Sequence, residues 1–108
     1  MSKFLSLYIT APSYDVAEII GRALVGEGLV ACVNIIAGAR SIYRWEDKVE
    51  TADEVVLIAK SRRDLFGQIE NRVKELHPYE CPCIVAWPIA VGHEPYLDWL
   101  AHETSAGA

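Results

Sequence analysis

Disulfide capacity is the first thing this chain has little of. Cys32, Cys81 and Cys83 make an odd number, and two of them are a single residue apart. That is a poor framework for a stapled secreted scaffold and points to a reducing, cytoplasmic setting. Basic charge is also short, with ten Lys plus Arg against fifteen Asp plus Glu and a net charge of −5. A nucleic-acid binder normally carries a basic footprint, so that class is set aside. The longest apolar run, from Cys81 to Gly92, is interrupted by Pro82 and Pro88 and falls short of the roughly 20 residues a membrane helix requires. No small-x-small cleavage site follows the apolar N-terminus, and Pro12, Asp15 and Glu18 arrive early, so this segment reads as a strand rather than a signal peptide. Also lacking is any stretch poor enough in apolar residues to stay disordered: 52% of the chain is hydrophobic and 23% charged. With 108 residues, the chain reads as one domain over 1–108.

Leu5, Leu7 and Ile9 alternate with Ser6, Tyr8 and Thr10, the period of a half-buried strand, and Pro12 ends it. Ser13 is placed to cap a helix over Tyr14 to Glu27, with Val16, Ile19, Ile20, Ala23 and Leu24 as its apolar stripe and Gly28 just beyond its end. Gly21 and Gly26 sit late in this helix and Gly28 just past it, with no Gly-Lys-Ser/Thr after them, so they do not form a phosphate loop. Leu29 to Ala37, nearly all apolar, predicts a second strand covered on both faces. Gly38 permits a bend, Ser41 to Glu46 resumes the extended pattern, and Asp47-Lys48 is the expected turn into a returning run from Glu54 to Lys60. Leu65, Phe66, Ile69, Val73 and Leu76 then have helical spacing over Arg62 to Leu76, with Ser61 or Asp64 available as the cap. His77-Pro78 closes that helix, Ile84 to Ile89 predicts a fourth strand, and Pro95 opens a short terminal helix.

The order β-α-β-β-α-β with a terminal helix predicts an α+β, ferredoxin-like sandwich: an antiparallel four-stranded sheet with both main helices on one face. The other face stays open near Tyr8, Tyr43, Trp45 and Trp87, which implies a partner surface, most simply another copy of the chain.

Several strings, taken in order, resemble the CutA family of divalent-cation tolerance proteins. They are Thr10-Ala11-Pro12, Ala31-Cys32-Val33-Asn34-Ile35, Ser41-Ile42-Tyr43-Arg44-Trp45-Glu46, Lys60-Ser61, His77-Pro78-Tyr79-Glu80 and Tyr96-Leu97-Asp98-Trp99. The resemblance implies a homotrimer with sheets facing one another, similar in architecture to PII signalling proteins. It also implies a link to copper and other divalent metals through tolerance. Some members are described as binding copper through a Cys before Thr-Ala-Pro and a His pair before Pro-Tyr; here Ile9 and Leu76 stand at two of those places, and His77 alone remains.

His77-x3-Cys81-x-Cys83 brings an imidazole and two thiols into seven residues, a donor set suited to Cu(I) or Zn(II). In an extended segment both thiols share a face, about 7 Å apart; the plain alternative is two small fillers entering the fourth strand. Cys32, inside an apolar strand, reads as structural, and a Cys32–His77 enzyme ranks below that. Tyr43, Trp45, Lys60 and Tyr79, with Cys32 nearby in the trimer implied by the resemblance, mark a cleft or an interface. The resemblance, which implies the trimer and the role in cation tolerance, together with these candidate ligands leads to the expectation of a non-enzymatic metal-binding protein. The alternative is a PII-like regulatory trimer that reads a small ligand in clefts between subunits.

Overall fold

The computed structural model describes residues 3–104. The ends of the 1–108 span, residues 1–2 and 105–108, lie outside the described residues. The chain runs β1 (Phe4–Ala11), α1 (Tyr14–Gly26), β2 (Cys32–Trp45), β3 (Lys48–Arg62), a 3-10 turn (Arg63–Leu65), α2 (Phe66–Leu76), β4 (Ile84–Pro88) and α3 (Glu94–Glu103). The sheet order is β2-β3-β1-β4, and each neighbouring pair is antiparallel. This is the ferredoxin-like order that two right-handed βαβ crossovers produce.

One face of the sheet is made by alternate residues. Leu5, Leu7, Ile9 and Ala11 of β1 join Val55, Leu57 and Ala59 of β3, all buried, beneath Ile20 and Leu24 of α1 and Ile69 and Val73 of α2. The first helix begins as its sequence requires, because the Ser13 hydroxyl accepts the Val16 N–H at 3.2 Å. It also ends as required, at Gly28, whose φ of 71° suits glycine. Its stripe, however, is Ala17, Ile20, Gly21 and Leu24, and Ile19 is left exposed. Ala17 and Gly21 are small enough to let the helix approach the sheet on that side.

Four further expectations are corrected. Leu29, Val30 and Ala31 are buried but do not begin the second strand: the N–H groups of Leu29 and Val30 donate to Leu24 O at 3.0 and 3.3 Å and so close α1. Nor is β2 covered on both faces, since it is a sheet edge and Ile36 is 50% exposed. The hairpin turns at Glu46-Asp47 rather than Asp47-Lys48, with φ of 50° and 65° and Trp45 paired to Lys48. Positive φ at both central residues is the type I′ form, one of the two-residue hairpin loops whose backbone follows the strand twist. Finally, neither Ser61 nor Asp64 caps α2: the Ser61 hydroxyl is buried and donates to Leu29 O at 2.6 Å.

The second face of the sheet carries Tyr8, Thr10, Cys32, Asn34, Ile36, Ile58, Lys60, Val85 and Trp87 by register. Helix α3 lies against β3, and its Tyr96 hydroxyl is 3.4 Å from Cys32 Sγ, which places the helix over part of this face. Trp87, Val85 and Ile36 remain exposed, as the open-face reading expected for Trp87.

Candidate functional site

A change of strand parity builds the site. Between the pairs Ile36↔Val56 and Ala39↔Glu54, two residues of β2 oppose one of β3, and Gly38 takes a φ of 91°. This is a glycine bulge, and the extra residue moves every following side chain to the opposite face. Ser41, Tyr43 and Trp45 therefore fall on the face of Tyr8 and Thr10, where a regular strand would have turned them away. Together with Glu54 and the segment after α2, these residues enclose a cleft of about 580 Å³, lined also by Ile42, Tyr79, Glu80, Cys81 and Cys83.

The segment after α2 is pinned by His77, the residue that ends the helix. Its ring is buried, with Nε2 2.7 Å from the carbonyl oxygen of Thr10 and Nδ1 accepting the Tyr79 N–H at 3.2 Å. A carbonyl only accepts, so Nε2 carries the proton and the imidazole is the neutral Nε2–H tautomer. The His77 and Tyr79 rings lie 4.7 Å apart, which holds the Tyr79 side chain over the cleft. There its hydroxyl donates to Glu54 Oε2 at 2.9 Å. Burial first, then the bond to Glu54 and that carboxylate's charge, push the Tyr79 phenol up to about 12.

Cys81 and Cys83 are free thiols at this cleft, in an irregular segment ahead of β4 rather than in the strand. Partial burial, and after it the charge of Glu54, push the Cys83 thiol up. His77 is not turned toward them: both ring nitrogens are engaged, so it joins the thiols at a metal only by giving up Thr10 or Tyr79. Among the described residues no group of three His, Cys, Asp or Glu side chains is arranged to hold a metal ion.

The residues expected to share one cleft divide into two places. Tyr43, Trp45 and Tyr79 line the cleft with Cys81 and Cys83, whereas Cys32 and Lys60 do not. These last two are paired across β2 and β3 by α3, where Lys60 Nζ donates to Asn34 Oδ1 at 3.1 Å and Cys32 meets Tyr96. The hydrogen bond with Cys32, followed by burial, pushes the Tyr96 phenol up to about 12. Cys32 and His77 have separate partners and form no couple. Glu54 escaped the sequence reading, since its place opposite Ala39 depends on the bulge; its one signal is an acid heading the apolar run Val55–Ala59.

Comparison with known proteins matches residues 5–103 to the family CutA1, described as the CutA1 divalent ion tolerance protein. The divalent-cation tolerance protein CutA of Thermus thermophilus is 51% identical over 96 residues, covering 89% of this chain and 93% of the relative. A solved structure of the cation tolerance protein from Thermus thermophilus superposes with a TM-score of 0.93 at 48% identity, covering 94% of this chain and 99% of that one. The structure titled the periplasmic divalent cation tolerance protein CutA from Archaeoglobus fulgidus gives a TM-score of 0.92 at 40% identity, with 94% and 99% covered.

Proposed function

The chain belongs to the CutA1 divalent ion tolerance family, and from that premise we propose that it is a cytoplasmic homotrimer that binds a soft metal ion, copper or another divalent metal, without turnover. The observation that carries this reading is the pair of free thiols, Cys81 and Cys83, one residue apart at a cleft also lined by Glu80. Thiolate donors select soft ions such as Cu(I) and also suit Zn(II). The metal is cargo, and the thiols are its first donors; His77 joins them through the lone pair on Nδ1, by exchanging its bond to the Tyr79 N–H while Nε2–H stays on Thr10. The raised Cys83 thiol means that binding displaces a proton, so affinity rises with pH. The trimer is supported by the exposed Ile36, Val85 and Trp87 on the second sheet face and by the edge strands β2 and β4, which leave surface for neighbouring copies.

An anaerobic competition titration against a chromophoric Cu(I) chelator tests the assignment. The Cys81→Ser/Cys83→Ser double variant should lose competition while the wild type retains it. Undiminished competition by the double variant overturns the thiol site.

A second reading is favoured by the cleft itself. Its volume of about 580 Å³ lies within the range of small-molecule sites, and the Glu54–Tyr79 pair supplies an organised polar contact inside it. In this reading the protein is a PII-like regulator whose cleft takes a small ligand and passes its bound state to a partner. Saturable thermal stabilisation by fractions of a cell extract supports it, since only a ligand that prefers the folded state stabilises. Absence of any such effect removes it.

A further inference from the structure

The charge lining the cleft is one-sided. Glu54 is only 9% exposed, yet among the described residues its carboxylate enters no ion pair. Its one hydrogen bond there is the Tyr79 hydroxyl on Oε2, which does not neutralise a charge. Glu80 adds a second carboxylate to the lining, and among the described residues no lysine or arginine lines the cleft. A buried carboxylate without a counter-charge is unfavourable, and a cation that enters the cleft relieves it.

The walls define what kind of cation. Tyr8, Tyr43, Trp45 and Tyr79 all line the space. Aromatic rings present a negative face that attracts a weakly hydrated, apolar-clad cation, and the attraction grows when the site is partly desolvated. A hard divalent ion such as Mg(II) holds its water against such walls and gains little from them, and a soft ion goes to the thiols rather than to the rings. An anionic metabolite meets two carboxylates.

We propose that this cleft is a binding site for a small organic cation, an alkylated ammonium or amine, with its charged head at Glu54 and its alkyl groups against Tyr43 and Trp45. The proposal rests on the reading of the cleft as a ligand site and names the chemical class of that ligand. The hydroxyl of Tyr79 orients Glu54 by holding Oε2, so the carboxylate is fixed before the guest arrives, which lowers the ordering cost of binding.

The test is heteronuclear NMR on the full chain, following the Tyr79 amide and the Trp45 indole. Separate titrations use tetramethylammonium, choline, the neutral carbon isostere of choline, acetate and Zn(II). Saturable shifts with both ammonium ions, and an affinity for choline about tenfold above that of its isostere, are the expected result. Glu54→Gln, with unchanged circular dichroism, should erase that preference, and Trp45→Leu should weaken ammonium binding at the Tyr79 reporter. Equal binding of choline and its isostere overturns the cationic assignment but leaves the cleft a ligand site. Saturation by Zn(II) or acetate alone overturns it in favour of another class. No saturable shift with any probe overturns both the assignment and the cleft reading, and the separate Cu(I) competition still reports on the thiols.

Discussion

The imidazole of His77 links two strand-distant backbone groups, with Nε2 2.7 Å from the carbonyl of Thr10 and Nδ1 3.2 Å from the amide nitrogen of Tyr79. This ring joins the end of α2 to β1 and fixes the segment that carries Tyr79, Cys81 and Cys83. His77→Ala leaves the Thr10 carbonyl and the Tyr79 N–H without their partner and opens a void beside the Tyr79 ring. The expected cost is about 1–3 kcal/mol, read as a lower denaturation midpoint at fixed protein concentration. An unchanged midpoint would show that the ring is not a structural link.

The Tyr79 phenol gives a pH signature. Its folded-state value of about 12 lies above the usual 10, so the neutral phenol contributes stability that is fully present below pH about 10 and lost as pH rises toward about 12. Near-ultraviolet titration should show two late phenols, Tyr79 and Tyr96, both near 12. Tyr79→Phe should remove one of them, and Glu54→Gln should move that step to lower pH. A late step untouched by Glu54→Gln would contradict the pair.

The hairpin tip stores conformational strain. Glu46 and Asp47 hold φ of 50° and 65°, a conformation that costs a residue with a Cβ roughly 1–2 kcal/mol and that Asn-Gly adopts readily. Replacing the pair by Asn-Gly should raise thermal stability without changing metal competition. A lower melting temperature would show that the turn is held by interactions other than its backbone.

Ser61 ties the far end of β3 to the segment leaving α1 through its 2.6 Å bond to Leu29 O. Ser61→Ala should cost about 1–2 kcal/mol, because the buried carbonyl loses its donor. Ser61→Cys keeps the size but donates poorly, and should recover little of the loss. Full recovery would assign the effect to packing alone.

These residues also mark how far the sequence could be read. The strand β1, the Ser13 cap and the Gly28 terminator depend on local chemistry within a few residues, and each is legible from its own neighbourhood. Ser61 is not, because its partner lies 32 residues away in sequence and a serine before a helix has a ready local reading as a cap. Leu29 and Val30 look like a strand because burial and strand share one apolar signature; their bonds back to Leu24 distinguish them, and Ala31 is the first to donate across to β3, at Lys60 O. Tyr43, Trp45 and Tyr79, which line one cleft, are visible in sequence by type at strand ends and loops, but the same reasoning groups Lys60 with them, and it lies apart, bonded to Asn34. Glu54 stayed hidden, because a single extra residue at Gly38 sets which face it shares with them.

The most direct test of the central claim is a native mass spectrum of the reduced, tag-free protein, before and after anaerobic addition of Cu(I), Cu(II) and Zn(II). A trimer that takes up three ions is expected, with uptake lost in the Cys81→Ser/Cys83→Ser variant and the trimer retained. A trimer that stays metal-free, or one whose uptake ignores the two thiols, would contradict that claim.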